Sequence, residues 1–231
     1  MKISLLCPTR ARPHAMQRLW ESAWETADDK ENLEIVFYMD KDDIHSHSQF
    51  EKMDSPQHLG IIGERIVLSE MWNECQKVAT GEVFMHCGDD IIFRSKGWDT
   101  LVREHMNKFE DHIVFVHGMD GIQNERLGTH GFLHKNWVET VGYFVPPYFS
   151  CDYNDTWLTD VSSMIGRRVY EPRIFTEHMH WAVGKQPRDQ TYTDTMARGQ
   201  RDGVTAMYES MLPKRQEDAK KLREFIEKCK G

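Results

Sequence analysis

The stretch Gly81-Glu82-Val83-Phe84-Met85-His86-Cys87-Gly88-Asp89-Asp90 carries the reading of the fold. Residues 82–87 form a short, mostly apolar run bounded by glycines, which reads as a buried strand. The run leads straight into two adjacent carboxylates and then into a second apolar triplet, Ile91-Ile92-Phe93. Two carboxylates at the mouth of a buried strand repel each other unless a cation or a basic group stands between them. Hard divalent cations prefer such oxygens. An acidic turn that only caps the next element is the plainer alternative, so the neighbouring segments decide.

Upstream, residues 2–7 read as a first strand that stops at Pro8, because proline cannot continue a central strand. The loop Pro8-Thr9-Arg10-Ala11-Arg12-Pro13 follows, then a helix over 14–27 with Met16, Leu19, Trp20 and Ala23 on one face. Residues 33–39 give a second strand that ends in Asp40-Lys41-Asp42-Asp43, followed by a polar, His-rich loop over 44–59. A third short strand is expected at 64–68. Ser69 is placed to cap a helix over 70–79 that Gly81 terminates. Downstream, Trp98, Leu101, Val102, His105, Met106 and Phe109 mark a helix, and residues 113–117 a fifth strand. From 118 to 180 the pattern is mixed, with a helix expected over 155–166. Residues 181–203 read as polar loop, and the chain ends in a helix with Ala219, Leu222, Ile226 and Cys229 on one face.

Strands alternating with helices imply an α/β fold: a Rossmann-type, mostly parallel sheet flanked by helices, with a mixed second half and a C-terminal helix. No repeat or linker divides the chain. We expect one unit, with a first half over 1–118, a second over 119–203 and the terminal helix over 204–231. In such sheets ligands bind beyond the carboxyl ends of the strands. Three of those ends carry conspicuous polar loops, Thr9-Arg10-Ala11-Arg12, Asp40-Lys41-Asp42-Asp43 and Gly88-Asp89-Asp90. Guanidinium forks suit phosphate, and a carboxylate such as Asp40 can accept from a base N–H or a ribose hydroxyl.

Composition narrows the classes. The 231 residues carry a net charge of −8. Residues 1–24 and 211–231 are each +3, which leaves −14 for the stretch between them. An acidic body with basic ends is not a general nucleic-acid binder. No apolar run is long enough to span a membrane, and the N-terminus lacks the pattern of a secretory signal. The five cysteines are odd in number and scattered, without a C-x-x-C. Reduced thiols in a cytoplasmic protein are the expectation.

Taken in order, the segments at 3–10, 36–40, 71–74 and 81–90 resemble the nucleotide-sugar half of GT-A-fold glycosyltransferases, most closely the family-2-like group. The resemblance covers residues 1–118 and continues more loosely to about 192. It implies that Pro8, Thr9, Arg10 and Arg12 form a loop at the nucleoside diphosphate. It also implies that Asp40 faces a uracil-like base and that Arg65 lies near the diphosphate or the sugar. Asp89 and Asp90 would be the D-x-D-type element, Asp89 on the nucleotide side and Asp90 as the direct ligand of Mn²⁺ or Mg²⁺. Here the element is Gly-Asp-Asp. A Gln-x-x-Arg-Trp element is absent, which argues against processive polysaccharide synthesis.

His178-Met179-His180 is an H-x-H segment, and in extended backbone both imidazoles lie on one side. The resemblance implies a C-terminal histidine at the metal, with His180 preferred over His178. An inverting transfer needs a base for the acceptor hydroxyl. The resemblance places such a carboxylate in this part of the chain, and in Cys151-Asp152-Tyr153-Asn154-Asp155-Thr156-Trp157 we choose Asp155, which heads an apolar helical segment and could cap it, with Asp152 second. Compact enzymes of this kind resemble bacteriophage members, for which one acceptor class is a hydroxymethylated pyrimidine in DNA. The competing readings are a nucleotidyltransferase on a related α/β scaffold and a non-enzymatic nucleotide- or carbohydrate-binding module. The first would carry a glycine-rich N-terminal loop with a lysine, and residues 8–12 lack the glycines.

Overall fold

A computed structural model describes residues 1–55 and 57–230. The strands are β1 Ile3–Thr9, β2 Leu33–Asp40, β3 His58–Gly63, β4 Val83–His86, β5 Ile91–Phe93, β6 Phe115–Met119, β7 Gly131–His134 and β8 Arg168–His178. The helices are α1 Pro13–Thr26, α2 Ile44–Lys52, α3 Leu68–Val78, α4 Trp98–Asn107, α5 Lys135–Val141, α6 Asn154–Met164, α7 Gln190–Asp202, α8 Val204–Ser210 and α9 Leu212–Cys229. The strands form one sheet in the order β3-β2-β1-β4-β7-β6-β8-β5. The first four are parallel. β7 runs against both β4 and β6, β8 is parallel to β6, and β5 runs against β8.

Side chains on a strand alternate between faces, and the core divides accordingly. Ile3, Leu5 and Cys7 of β1, with Ile35 and Phe37 of β2, pack on Met16 and Leu19 of α1 and Trp98 of α4. Leu6, Val36 and Tyr38 point the other way, onto Trp72 of α3, Trp137 of α5, Trp157 of α6 and Leu222 of α9. A sheet covered on both faces explains why β1 and β2 are buried along their whole length.

Several elements differ from the sequence expectation. β1 continues through Pro8 to Thr9, pairing Pro8 with Tyr38. Leu6 O accepts from Cys87 N, so alternate residues from Leu6 present their backbone groups toward β4. β4 ends at His86, so no ladder bond is lost at the proline. The third strand lies at 58–63 and not at 64–68. Most of the expected loop over 44–59 is α2 followed by β3, the helix started by the Asp43 carboxylate accepting from Ser46 N. Ser69 is inside α3 and donates to Phe149 O, so it caps nothing. Much of the expected loop over 181–203 is α7, capped by Asp189.

One polar knot lies at the end of the sheet away from the polar loops. Glu34 is 2% exposed and accepts from Ser4 Oγ, Thr80 N and Oγ1, and Gly81 N, with Lys2 Nζ paired to it. Glu34→Ala should cost about 1–3 kcal/mol in urea unfolding, because buried donors lose their acceptor. Burial alone would raise the Glu34 pKa, but Lys2 and the hydroxyl donors outweigh it and lower it below 4.5 in the folded state. Its contribution is therefore present above the unfolded pKa and lost as pH falls through the folded one. The difference between wild type and Glu34→Ala should shrink in acid. A constant difference from pH 7 to pH 3 would exclude the charged knot.

Candidate functional site

The reversal of β7 and β5 gathers strand ends from both halves of the sheet. β1, β2 and β4 finish at the edge where β7 and β5 begin, and β6 and β8 finish there too. Thr9, Arg10, Arg12, Asp40, Asp89, Asp90, Asp120, His130 and His178 all stand at this edge.

On the parallel side the loop after β1 turns through Ala11, which has φ +56°. A left-handed alanine is strained, and such strain collects at functional loops. The turn is held by Ala11 N donating to Asp43 Oδ2 at 2.7 Å. It sends the two arginines apart. Arg10 Nη1 pairs with Asp40 at 2.7 Å and, through both Nη atoms, with Asp42 at 2.6 and 2.9 Å. Arg12 Nη1 pairs with Asp89 at 2.8 Å, while its Nε and Nη2 grip both oxygens of Asp189 at 2.6 and 2.9 Å. Thr9 Oγ1 donates to the other Asp89 oxygen at 2.8 Å. Asp89 is thus engaged by Thr9 and Arg12, and burial raises its pKa to about 6 against their pull. Pro8 is buried and places Thr9. Asp40 is 1% exposed, and its Oδ1 has no protein partner among the described residues. Arg65 lies 3.8 Å from Asp40 and 2.9 Å from Asp194.

Asp90 faces the opposite way. A Cβ on Gly88 would stand 2.5 Å from Asp90 Oδ1, so glycine leaves the space into which the carboxylate folds back. His178 Nε2 lies 3.2 Å from Asp90 Oδ2, and Tyr192 Oη donates to the same oxygen at 2.6 Å. His178 is fixed by its backbone: its N–H donates to Asp120 O at 2.9 Å, and the next amide, Met179, donates to Asp90 O at 2.7 Å. The Asp120 carboxylate stands 3.9 Å from His178 Nδ1. Burial disfavours the charged imidazole, but Asp120 and Asp90 overcome it and raise its pKa to about 9. His130 packs edge-on against His178, with ring centroids 4.9 Å apart. Burial holds His130 neutral, its pKa down to about 3. Asp90, His130 and His178 each offer a ligand atom within 4.8 Å of the others.

The structure therefore brings His178 into contact with Asp90 and sets His180 one ring further out. The His180 ring lies 5.1 Å from that of His178, and its Nδ1 accepts from Ala182 N. The i, i+2 spacing offered both. What separates them is the pairing of β8 with β5, which puts His178 opposite Ile91, next to Asp90.

α7 lies across the edge. Asp189 and Asp194 hold Arg12 and Arg65, Tyr192 holds Asp90 and stacks under Arg12 at 4.2 Å, and Thr191 Oγ1 donates to Arg10 O. Its far end meets the loop before α6. A Cβ on Gly199 would be 3.0 Å from Cys151 Sγ and 3.6 Å from Asp152 Oδ2. Asp152 and Tyr153 are left-handed, and they start α6. Asp155 lies in the first turn and accepts from its own neighbour Thr156, so the side chain is not the cap that its position in the sequence suggested. Burial, with some repulsion from Asp152, raises the Asp155 pKa to about 6.

No family model and no curated protein sequence matches the chain. Solved structures do. Pyrobaculum calidifontis mannosyltransferase PcManGT, in complex with GDP-Man and Mn²⁺, aligns with a TM-score of 0.59 at 14% identity, over 77% of this chain and 56% of that one. S. aureus TarS 1–349 in complex with UDP-GlcNAc aligns with a TM-score of 0.58 at 14% identity, over 85% and 64%. A longer TarS chain gives 0.57 at 13%, over 76% and 36%. The chain spans about a third to two thirds of the length of these structures. The fold is the GT-A fold.

The hold on α7 can be measured. The Arg65–Asp194 pair is solvent-screened and holds weakly, whereas in the two-pronged Arg12–Asp189 pair the guanidinium is enclosed. Asp189→Ala should therefore speed hydrogen exchange of the 193–198 amides several-fold, and more than Asp194→Ala does. Exchange in β1 should not change. Equal rates in wild type and Asp189→Ala would show that Arg12 does not anchor the helix.

Proposed function

We propose that the protein is a metal-dependent glycosyltransferase that moves a sugar from a nucleotide-diphosphate sugar, a UDP-sugar in the first instance, to an acceptor hydroxyl. The observation that carries this is the pairing of Arg12 and Arg65 with the carboxylates of α7 beside Asp90. Two guanidinium groups presented to oxyanions at the carboxyl ends of parallel strands are suited to a diphosphate. The likeness in fold to structures holding GDP-Man with Mn²⁺ or UDP-GlcNAc supports the donor class.

In this reading the diphosphate takes the places of Asp189 and Asp194 on Arg12 and Arg65. Thr9 and Asp89 keep Arg12 in position, with Pro8 behind them. Asp40, with Arg10 at its other oxygen, receives the base. The donor set at the edge fits a divalent ion: His130 Nδ1 is buried with no protein partner among the described residues, close to a carboxylate and a second imidazole. Asp90 would be the direct ligand. His178 has the better geometry for the second place, and His180 stands behind it. A bound Mn²⁺ or Mg²⁺ supplies a Lewis acid that neutralises the leaving diphosphate. Asp155 takes the proton from the acceptor hydroxyl, and Asp152 is the alternate base. A carboxyl whose pKa stands near 6 is ionised at neutral pH yet basic enough to accept a proton.

The test is release of nucleoside diphosphate from UDP- and GDP-sugars with Mn²⁺. Candidate acceptors should include DNA carrying hydroxymethylated pyrimidines, the acceptor class of the phage members that the sequence resembles. Asp155→Asn should lose roughly 10²–10⁴ of turnover and keep UDP affinity within about twofold. With Asp155 as base, wild-type turnover should rise with pH through about 6. A carboxylate base works only when ionised, so activity must fall on the acid side. Absence of thermal stabilisation by every nucleoside diphosphate tried with metal would sink the proposal. A full-rate Asp155→Asn enzyme would remove Asp155 from it.

A further inference from the structure

We infer that the cation site is a three-residue Asp90–His130–His178 centre which binds a transition-metal ion before any nucleotide arrives, narrowing the choice of Mn²⁺ or Mg²⁺ above to the former. The inference deepens the reading above and rests on it only for the ion's task, since binding itself is measured without nucleotide.

The three residues come from three separate strand ends, and each is placed by its backbone. Asp90 directly precedes β5 and His130 directly precedes β7, whose antiparallel pairing sets Gly131 opposite His86. His178 closes β8, opposite Ile91. His130 and Asp90 are each 7% exposed. Burying an imidazole nitrogen without a hydrogen bond is costly, and His130 Nδ1 is such an atom among the described residues. A metal ion is a partner that a neutral imidazole can take.

Chemistry selects the ion. Two imidazole nitrogens and one carboxylate oxygen suit Mn²⁺, Fe²⁺, Co²⁺, Ni²⁺ or Zn²⁺. Mg²⁺ prefers an all-oxygen shell and gives up water reluctantly. Behind His178, the Asp120 carboxylate stands 3.9 Å from Nδ1. It is 3% exposed, and its Oδ1 is already bound by three backbone amides, Ile122, Gln123 and Asn124. At 3.9 Å it is an ionic neighbour of the ring, and a small turn of the imidazole would let Nδ1–H donate to it, the arrangement that strengthens a histidine ligand. Asp90, His130 and His178 would hold the ion, His178 as a neutral imidazole after giving its proton to solvent, and Tyr192 Oη would give up the Asp90 oxygen that it now shares with His178 Nε2.

The experiment uses the full chain after chelator treatment, with no nucleotide present. Titration with Co²⁺, followed by visible absorption, and with Mn²⁺, followed by loss of the free-ion EPR signal, should each give one site per chain. Millimolar Mg²⁺ should not displace either ion. His130→Ala and His178→Ala should weaken Co²⁺ at least tenfold, whereas His180→Ala should stay within about twofold. Because His130 is buried and its variants can misfold, the wild-type protein carries a second test. Pulsed EPR of bound Mn²⁺ should resolve nitrogen couplings from two imidazoles. No binding without nucleotide, free exchange with Mg²⁺, or coupling to one imidazole or none would each overturn the inference. Retained ion binding with no affinity for any nucleoside diphosphate would instead count against the donor reading and leave this one standing.

Discussion

The guanidinium of Arg12 is the contact on which the polar edge is organised. It is largely enclosed, and it meets Asp89 on one side and Asp189 on the other. Without it Asp89 would be a buried carboxylate beside a second one, Asp90, and like charges so close destabilise each other. With it, Asp89 belongs to the basic loop and Asp90 is free to turn toward the histidines. The same side chain ties α7, late in the sequence, to the first βα turn. One cation thus separates the roles of two adjacent aspartates and holds the start of α7 at the edge.

The second constraint is topological. A wholly parallel sheet would bring only the ends of strands to this edge. Reversing β7 and β5 brings strand beginnings to it as well, and these carry His130 and Asp90. β6 and β8 then deliver Asp120 and His178 at their ends. The parallel half of the sheet and the histidine-rich half meet because of this change of direction.

How much of this was legible in the sequence follows from the range of each interaction. β1, β2 and β4 show as apolar runs because both faces of each strand are covered, and Arg12, Asp40, Asp89 and Asp90 stand where those runs stop. α2 was hidden because only Ser46 in it is buried, so it has no apolar stripe to read. α7 was hidden likewise, since only Gly199 is buried and the helix is held by ion pairs and Tyr192. Asp43 and Asp189, each capping a helix, were the local signals for both. His130 is a single histidine before a four-residue strand, and nothing nearby distinguishes it from His134 or His117. Its proximity to Asp90 is a product of strand order. The choice between His178 and His180 depended on β5 register, which a triplet such as Ile91-Ile92-Phe93 does not disclose.

In the reading proposed above, α7 is a built-in rival for the arginines. If a donor must displace Asp189 and Asp194, its apparent affinity is the intrinsic affinity multiplied by the fraction of molecules in which the helix has already let go. A fraction of about 1% would weaken apparent binding about a hundredfold. The rival is covalently attached, so its local concentration does not change with dilution, and no amount of added protein relieves it. Anything that holds α7 elsewhere, such as an acceptor seated against Gly199 and the Cys151–Asp152 turn, would strengthen donor binding without touching the donor. By reciprocity the donor would strengthen that partner to the same degree.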